Sequence, residues 1–137
     1  LTDDYALMKE IRMRAIVIDD SRAMRGLIKR VLLTLGFEVF EGCDGSDGLK
    51  RLAEGPPPAL AMVDWNMPNM NGLELVQAVR KNPVFDAMRI MMVTTEVEMH
   101  QVEAALAAGA NEYLMKPFTE DVLREKILML NLVREAA

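Results

Sequence analysis

Leu60-Ala61-Met62-Val63-Asp64 is the stretch whose reading decides the fold. Gly55-Pro56-Pro57-Pro58 makes a firm break before it, and the run itself is apolar until it ends on a carboxylate. A nearly continuous apolar strand is what a parallel sheet buries on both faces. Three other short runs repeat the pattern. Ala15-Ile16-Val17-Ile18 ends at Asp19-Asp20, Ile90-Met91-Met92-Val93 at Thr94-Thr95, and Tyr113-Leu114-Met115 at Lys116-Pro117. Longer stretches of helical period separate them. This layout predicts strands joined by crossover helices, with the ligand site at the carboxyl ends of the strands. Three carboxylates, a hydroxyl and an ammonium would meet there, a set suited to a divalent cation and a phosphoryl group.

The rest of the chain fits five β-α units and a three-layer α/β sandwich. Helix one is expected over 22–35, with Met24, Leu27, Ile28, Val31, Leu32 and Leu35 at helical spacing and Gly36 just past its end. Strand two spans 37–40, extending to Gly42, and helix two runs from about Asp44 to Glu54, with Asp47 at its N-terminus. Asn71 and Glu74 have capping-box spacing at the start of helix three. Strand four is 89–93. Thr95 and Glu98 would cap an alanine-rich helix four that stops at Gly109, strand five is 112–115, and helix five spans 119–133.

The 137 residues make one domain the natural expectation. We assign 13–137 to that domain and 1–12 to an N-terminal extension, a processed leader or a cloning remnant. A net charge of −5 argues against DNA binding through the whole surface. One cysteine, Cys43, allows no internal disulfide and fits a reducing cytoplasm. No stretch spans a bilayer, so no membrane role is expected.

At the strand ends, Asp64 is held still by its strand and would make a good nucleophile toward phosphorus. Asp19 and Asp20 close the neighbouring run. Like charges roughly 4 Å apart at an effective dielectric near ~20 repel by about 4 kcal/mol, and a divalent cation would relieve this. Mg²⁺, with Mn²⁺ as the alternative, suits hard oxygen ligands. Thr94 offers a donor to a phosphoryl oxygen, and Lys116 a point charge for another.

These residues carry a resemblance. Val63-Asp64-Trp65-Asn66-Met67-Pro68-Asn69-Met70, Gly72-Leu73-Glu74-Leu75, Met92-Val93-Thr94, Gly109-Ala110 and Lys116-Pro117-Phe118-Thr119 resemble the receiver domain of two-component response regulators, above all its CheY-like chemotaxis branch. The likeness covers about 13–134. It implies a flavodoxin-like (βα)5 sandwich with a parallel sheet in the order 2-1-3-4-5. It implies Asp64 as phosphoacceptor, with Thr94 and Lys116 contacting the phosphoryl group. Mg²⁺ would be held by Asp20, Asp64 and the backbone carbonyl of Asn66, and by Asp19 through water. Thr94 and Tyr113 would form the switch, and the Lys116–Pro117 peptide would be cis. Asn66 and Glu96 would flank the path of a hydrolytic water and allow rapid dephosphorylation. The implied partners are a histidine kinase or phosphotransfer domain and a downstream protein on the face of helix four, strand five and helix five. Nucleic acid is not among them, and the unphosphorylated protein would be a monomer in the cytoplasm. The chain departs from the chemotaxis pattern at Glu98 and Met99, where basic residues are usual, at Asn71, where an acidic residue is common, and at Thr95, where alanine is common.

Other readings were weighed. A phosphohydrolase with an aspartyl-phosphate intermediate wants an acid two residues after the nucleophile, where this chain has Asn66. A flavodoxin-like cofactor binder wants a phosphate-cradling loop after strand one, where Asp19-Asp20 stands. A receiver fragment of a larger DNA-binding or enzymatic regulator is the alternative to the stand-alone regulator expected here. Trp65 is expected as a partly exposed wall of the pocket, and Cys43 as a structural residue. Met99 and Val102 are read as partner contacts, and His100 as solvent-exposed. Arg22, Arg25 and Lys29 share one face of helix one, either solvated or a docking face.

Overall fold

The structure is a computed structural model and describes residues 13–132. The stretch 1–12, read above as an extension, lies outside the described residues. The elements run β1 (Arg14–Ile18), α1 (Arg22–Thr34), β2 (Glu38–Gly42), α2 (Gly45–Ala53), β3 (Leu60–Asp64) and α3 (Gly72–Arg80). They continue with β4 (Arg89–Thr95), α4 (Val102–Ala108), β5 (Glu112–Lys116) and α5 (Glu120–Met129). All strand pairs are parallel, and the order is β2-β1-β3-β4-β5, the order the resemblance implied.

The chain reverses its direction across the sheet at β1, so right-handed crossovers put helices on both faces. On one face Ile28, Val31 and Leu32 of α1 and Leu123 and Ile127 of α5 pack on Val17, Met62, Met91 and Val93. On the other, Leu52 of α2, Leu75, Val76 and Val79 of α3 and Ala105 of α4 pack on Ile16, Ile18, Val63 and Met92. Every residue of β3 is buried, as its apolar run required. The register pairs Ile18 with Val63, so the next positions, Asp19 and Asp64, stand side by side at the switch point.

Caps fix where the helices begin. Ser21, Asp44, Asn71 and Thr119 each accept a backbone N–H of the following turn, and Asn71 with Glu74 completes the capping box read from the sequence. Helix four differs from expectation. Its first turn, Glu96–Gln101, is wound as a 3-10 helix, and the α-helix starts only at Val102, where apolar contacts with the core resume. Strand β4 runs two residues further than its apolar run, which places Thr94 within the strand. Helix α5 ends at Met129 rather than Val133. A short 3-10 turn at Pro83–Phe85, not foreseen, is capped by Asn82 and buries Phe85.

Arg80, at the end of α3, ties together the edge of the fold remote from the carboxyl ends. Its guanidinium donates to the carbonyls of Phe85 (2.6 Å), Met88 (2.7 Å) and Gly109 (3.1 Å) and to Asn111 Oδ1 (3.2 Å). Gly109, with φ +121°, takes a conformation that L side chains rarely adopt, and a Cβ there would lie 2.7 Å from Arg80 Cγ.

Three expectations are corrected. Trp65 is not an exposed wall: it is 5% exposed and belongs to the α3-side core, because the chain leaving β3 packs it into the same apolar cluster as Met67 and Leu75. Val102 is buried at the start of α4 and presents no contact surface, while Met99 stays half-buried. Cys43 is exposed rather than structural, since it follows β2 on the loop into α2. His100 is exposed, as expected. On α1, Arg25 and Lys29 both pair with Glu41, and Arg22 is exposed.

Candidate functional site

Asp64 ends the central strand and is 4% exposed; its Oδ1 accepts a 3.0 Å hydrogen bond from Lys116 Nζ. Lys116 reaches it from the end of β5, and its Nζ also lies 3.9 Å from Asp19 Oδ2. Asp19, 1% exposed, is fixed from three sides. Its Oδ1 accepts from the Ser21 N–H at 2.8 Å, its backbone N–H donates to Gly42, and its backbone carbonyl accepts from Arg25 Nη1 at 2.7 Å. Asp20 is exposed at the mouth. One carboxylate oxygen from each of Asp19, Asp20 and Asp64 falls within a 4.8 Å cluster, and Asp19 Oδ2 is buried with no hydrogen-bond partner among the described residues. With Lys116 too far at 3.9 Å for a hydrogen bond, this buried carboxylate oxygen costs free energy unless a further donor or cation meets it. Hard oxygen donors, closely grouped, with one atom unsatisfied, fit a small divalent cation.

The electrostatics follow from burial. Desolvation raises the Asp64 pKa from 3.8 to about 6; the Lys116 hydrogen bond opposes this, and the Asp19 charge adds to it. Desolvation likewise raises Asp19, with the Ser21 hydrogen bond pulling the other way. For Lys116 burial acts downward, but the hydrogen bond to Asp64 and the charges of Asp64, Asp19 and Glu98 outweigh it and hold the ammonium protonated. The site is thus short of positive charge.

Thr94 is fully buried in β4, next to β3, and its Oγ1 donates to Glu98 Oε2 at 3.1 Å. The same Oε2 accepts from the Thr95 N–H at 3.1 Å. Tyr113 is half-buried on β5, packed against the α3-side core, with Lys126 Nζ 4.8 Å from its ring centroid. The Lys116–Pro117 peptide is cis. The base of the site is tight. A Cβ on Gly72 would stand 2.7 Å from the Asp64 carbonyl oxygen, and the Gly72 N–H donates to the Trp65 carbonyl at 2.8 Å.

The family model for the response regulator receiver domain matches residues 15–128. The chain belongs to the response regulator receiver domains. This receiver is 44% identical to the chemotaxis protein CheY1 of Helicobacter pylori over 116 residues, which cover 84% of this chain and 94% of that one. It is 45% identical to a chemotaxis protein CheY homolog of Campylobacter jejuni, covering 84% and 89%. Among solved structures, CheY4 of Vibrio cholerae superposes with a TM-score of 0.81 at 29% identity, covering 87% of this chain and 98% of that one. The receiver is therefore a CheY-like response regulator domain of two-component signalling. Receiver domains bind Mg²⁺ at an acidic pocket, and here Asp19, Asp20 and Asp64 form such a cluster.

Of the residues named from the sequence, Asp19, Asp20, Asp64 and Lys116 come together directly. Thr94 lies one strand over, engaged with Glu98, and Asn66 is exposed two residues past Asp64. Two contributors were missed. Arg25, read as part of a surface face, anchors the Asp19 backbone; its position four residues after Ser21, one turn into α1, was the available signal. Glu98, read as a cap, also holds Thr94; the sequence carried no signal for this, because Thr94 lies on a strand and the 3-10 turn is what brings Glu98 back over it.

Proposed function

We propose that the protein is a phosphorylation-driven switch in which Asp64 takes a phosphoryl group from a histidine kinase or phosphotransfer domain. The observation that carries this reading is the buried Asp64 carboxylate, hydrogen-bonded to Lys116 and grouped with Asp19 and Asp20. A phosphohistidine donor would present its phosphorus to Asp64. The P–O bond to Asp64 forms as the P–N bond breaks, and the imidazole nitrogen keeps the electron pair. Asp20, Asp64 and the Asn66 carbonyl would hold Mg²⁺, with Asp19 acting through water. When bound, the ion supplies charge neutralisation to the incoming group. Lys116 then meets one phosphoryl oxygen and the Thr94 hydroxyl another, and inward movement of Thr94 vacates space for Tyr113.

The added charge of roughly −1.5 to −2 is read out on the face of α4, β5 and α5. A groove there is lined by Tyr113, Met115, Phe118 and Val122, and Met115 and Val122 expose apolar surface to a protein partner. The domain would catalyse only its own phosphorylation and dephosphorylation, with Asn66 beside the path of the hydrolytic water; the Glu96 side chain, expected there as well, lies outside what the structure describes. It would work in the cytoplasm, monomeric until phosphorylated, with this receiver domain contacting neither nucleic acid nor membrane. Among the described residues no helix is long and apolar enough to cross a membrane. The test is incubation with acetyl phosphate and Mg²⁺ followed by intact-mass measurement. One added phosphoryl group on wild type and none on Asp64→Asn is expected; equal labelling of the variant would remove Asp64 from the role.

A further inference from the structure

The Thr94 hydroxyl has one proton, and in this structure that proton is directed at Glu98. Thr94 Oγ1 lies 3.1 Å from Glu98 Oε2, at a buried position one strand away from Asp64. Its other acceptor within reach, the Thr95 carbonyl, is longer at 3.3 Å. A hydrogen bond to a carboxylate is stronger than one between neutral groups. The same carboxylate oxygen holds the Thr95 N–H, so Glu98 grips the end of β4 by side chain and backbone together. The grip is local, because the 3-10 turn Glu96–Gln101 brings residue 98 back over the strand end. Thr94 cannot donate to Glu98 and to a phosphoryl oxygen at once.

We propose that Glu98 is a positioning residue that latches Thr94 in the unmodified state and so sets how readily the phosphoryl-bound state forms. The inference rests on the phosphoryl-switch reading above. Reaching that state requires the Thr94–Glu98 bond to break, and the carboxylate, left beside a site that has gained negative charge, must swing toward solvent. A chain without a carboxylate at this position has no such bond to break. The competent conformation is then a larger fraction of the resting ensemble, and apparent affinity for a phosphoryl mimic rises by that factor.

The probe is beryllium fluoride with Mg²⁺, titrated against wild type, Glu98→Ala, Glu98→Gln, Thr94→Val and Thr94→Val/Glu98→Ala, with Asp64→Asn as the control that binds nothing. Glu98→Ala is expected to bind roughly tenfold more tightly than wild type, the size of one lost charged hydrogen bond. Glu98→Gln keeps the shape and an acceptor, and is expected to fall between the two. In the Thr94→Val background the same alanine substitution should change affinity by less than about twofold, since the hydroxyl it released is already gone. A gain that persists without the hydroxyl would mean Glu98 acts only as a cap or as a bulk charge, and would overturn the latch. Asp64-dependent binding with no gain in Glu98→Ala or Glu98→Gln would overturn the latch alone. No binding by wild type would overturn the switch reading and the latch with it.

Discussion

Replacing Asp64 by asparagine should stabilise the fold at neutral pH and do so much less in mild acid. The Asp64 carboxyl is buried with Lys116 as its one cationic hydrogen-bond partner among the described residues, and its pKa is pushed up from an ordinary 3.8 to about 6. Between those two values the folded state holds a proton that the unfolded state has released. Stability is therefore lost as pH rises through that window, and the loss is complete above the folded value. At about 1.4 kcal/mol per pKa unit, the ionised carboxylate costs the fold about 3 kcal/mol at pH ~7.5 but less than about 1 kcal/mol at pH ~4. Asparagine has the same shape and no charge, so it carries none of this dependence. Asp19 is raised in the same direction, but it is present in both proteins and largely cancels in the comparison. The assay is urea unfolding of wild type and Asp64→Asn in EDTA at the two pH values, followed by far-UV circular dichroism and by the fluorescence of buried Trp65. The stability gap should widen by about 2 kcal/mol from acid to neutral pH. A gap that stays constant within about 0.5 kcal/mol would refute the claim that burial governs this carboxylate.

Adding Mg²⁺ should offset the same penalty: at ten times its dissociation constant it stabilises wild type by about 1.4 kcal/mol, and thermal unfolding of Asp20→Ala should show less than half of that shift. Lys116→Arg keeps the charge but not the compact ammonium geometry, so phosphorylation should survive in part while partner binding is lost; wild-type binding would show that charge alone suffices. The phosphoryl group on wild type should decay within seconds to a few minutes after donor removal, and Asn66→Lys with Glu96→Leu should slow the decay; a slow wild type would point to a domain built to hold its phosphate. Backbone amides of 96–101 should exchange with solvent faster than those of 103–110, measured by hydrogen–deuterium exchange, and equal protection would contradict the weaker winding of that turn.

The sheet was readable because the central stretches of β1, β3 and β4 are buried on both faces, and such stretches must be almost wholly apolar. Once those runs were placed, the residues that end them were placed too, and Asp19, Asp64 and Lys116 meet where the runs stop. The orientation of Trp65 was not readable, because adjacency to Asp64 in sequence says nothing about which face a strand-end residue takes once the chain turns. The 3-10 winding of 96–101 was hidden for a related reason. Thr95 and Glu98 have ordinary capping spacing, and only the three-dimensional placement of Thr94 reveals that the carboxylate serves two donors. The Arg80 network was illegible as well, since its acceptors are mostly backbone carbonyls scattered between residues 85 and 111.

That network makes a mechanical asymmetry of the segment between β4 and β5. Gly109, at the far end of α4, is bolted through Arg80 to the loop carbonyls of Phe85 and Met88. The near end is held to β4 by one carboxylate gripping Thr94 and Thr95. The segment is thus a cantilever, clamped at its root and lightly pinned at its tip. A load applied at the carboxyl ends of the strands will bend the tip and leave the root where it is. Displacement is then largest beside the acidic site and dies away toward Gly109, so a partner seated near residues 96–101 would sense the load and one seated near Arg80 would not.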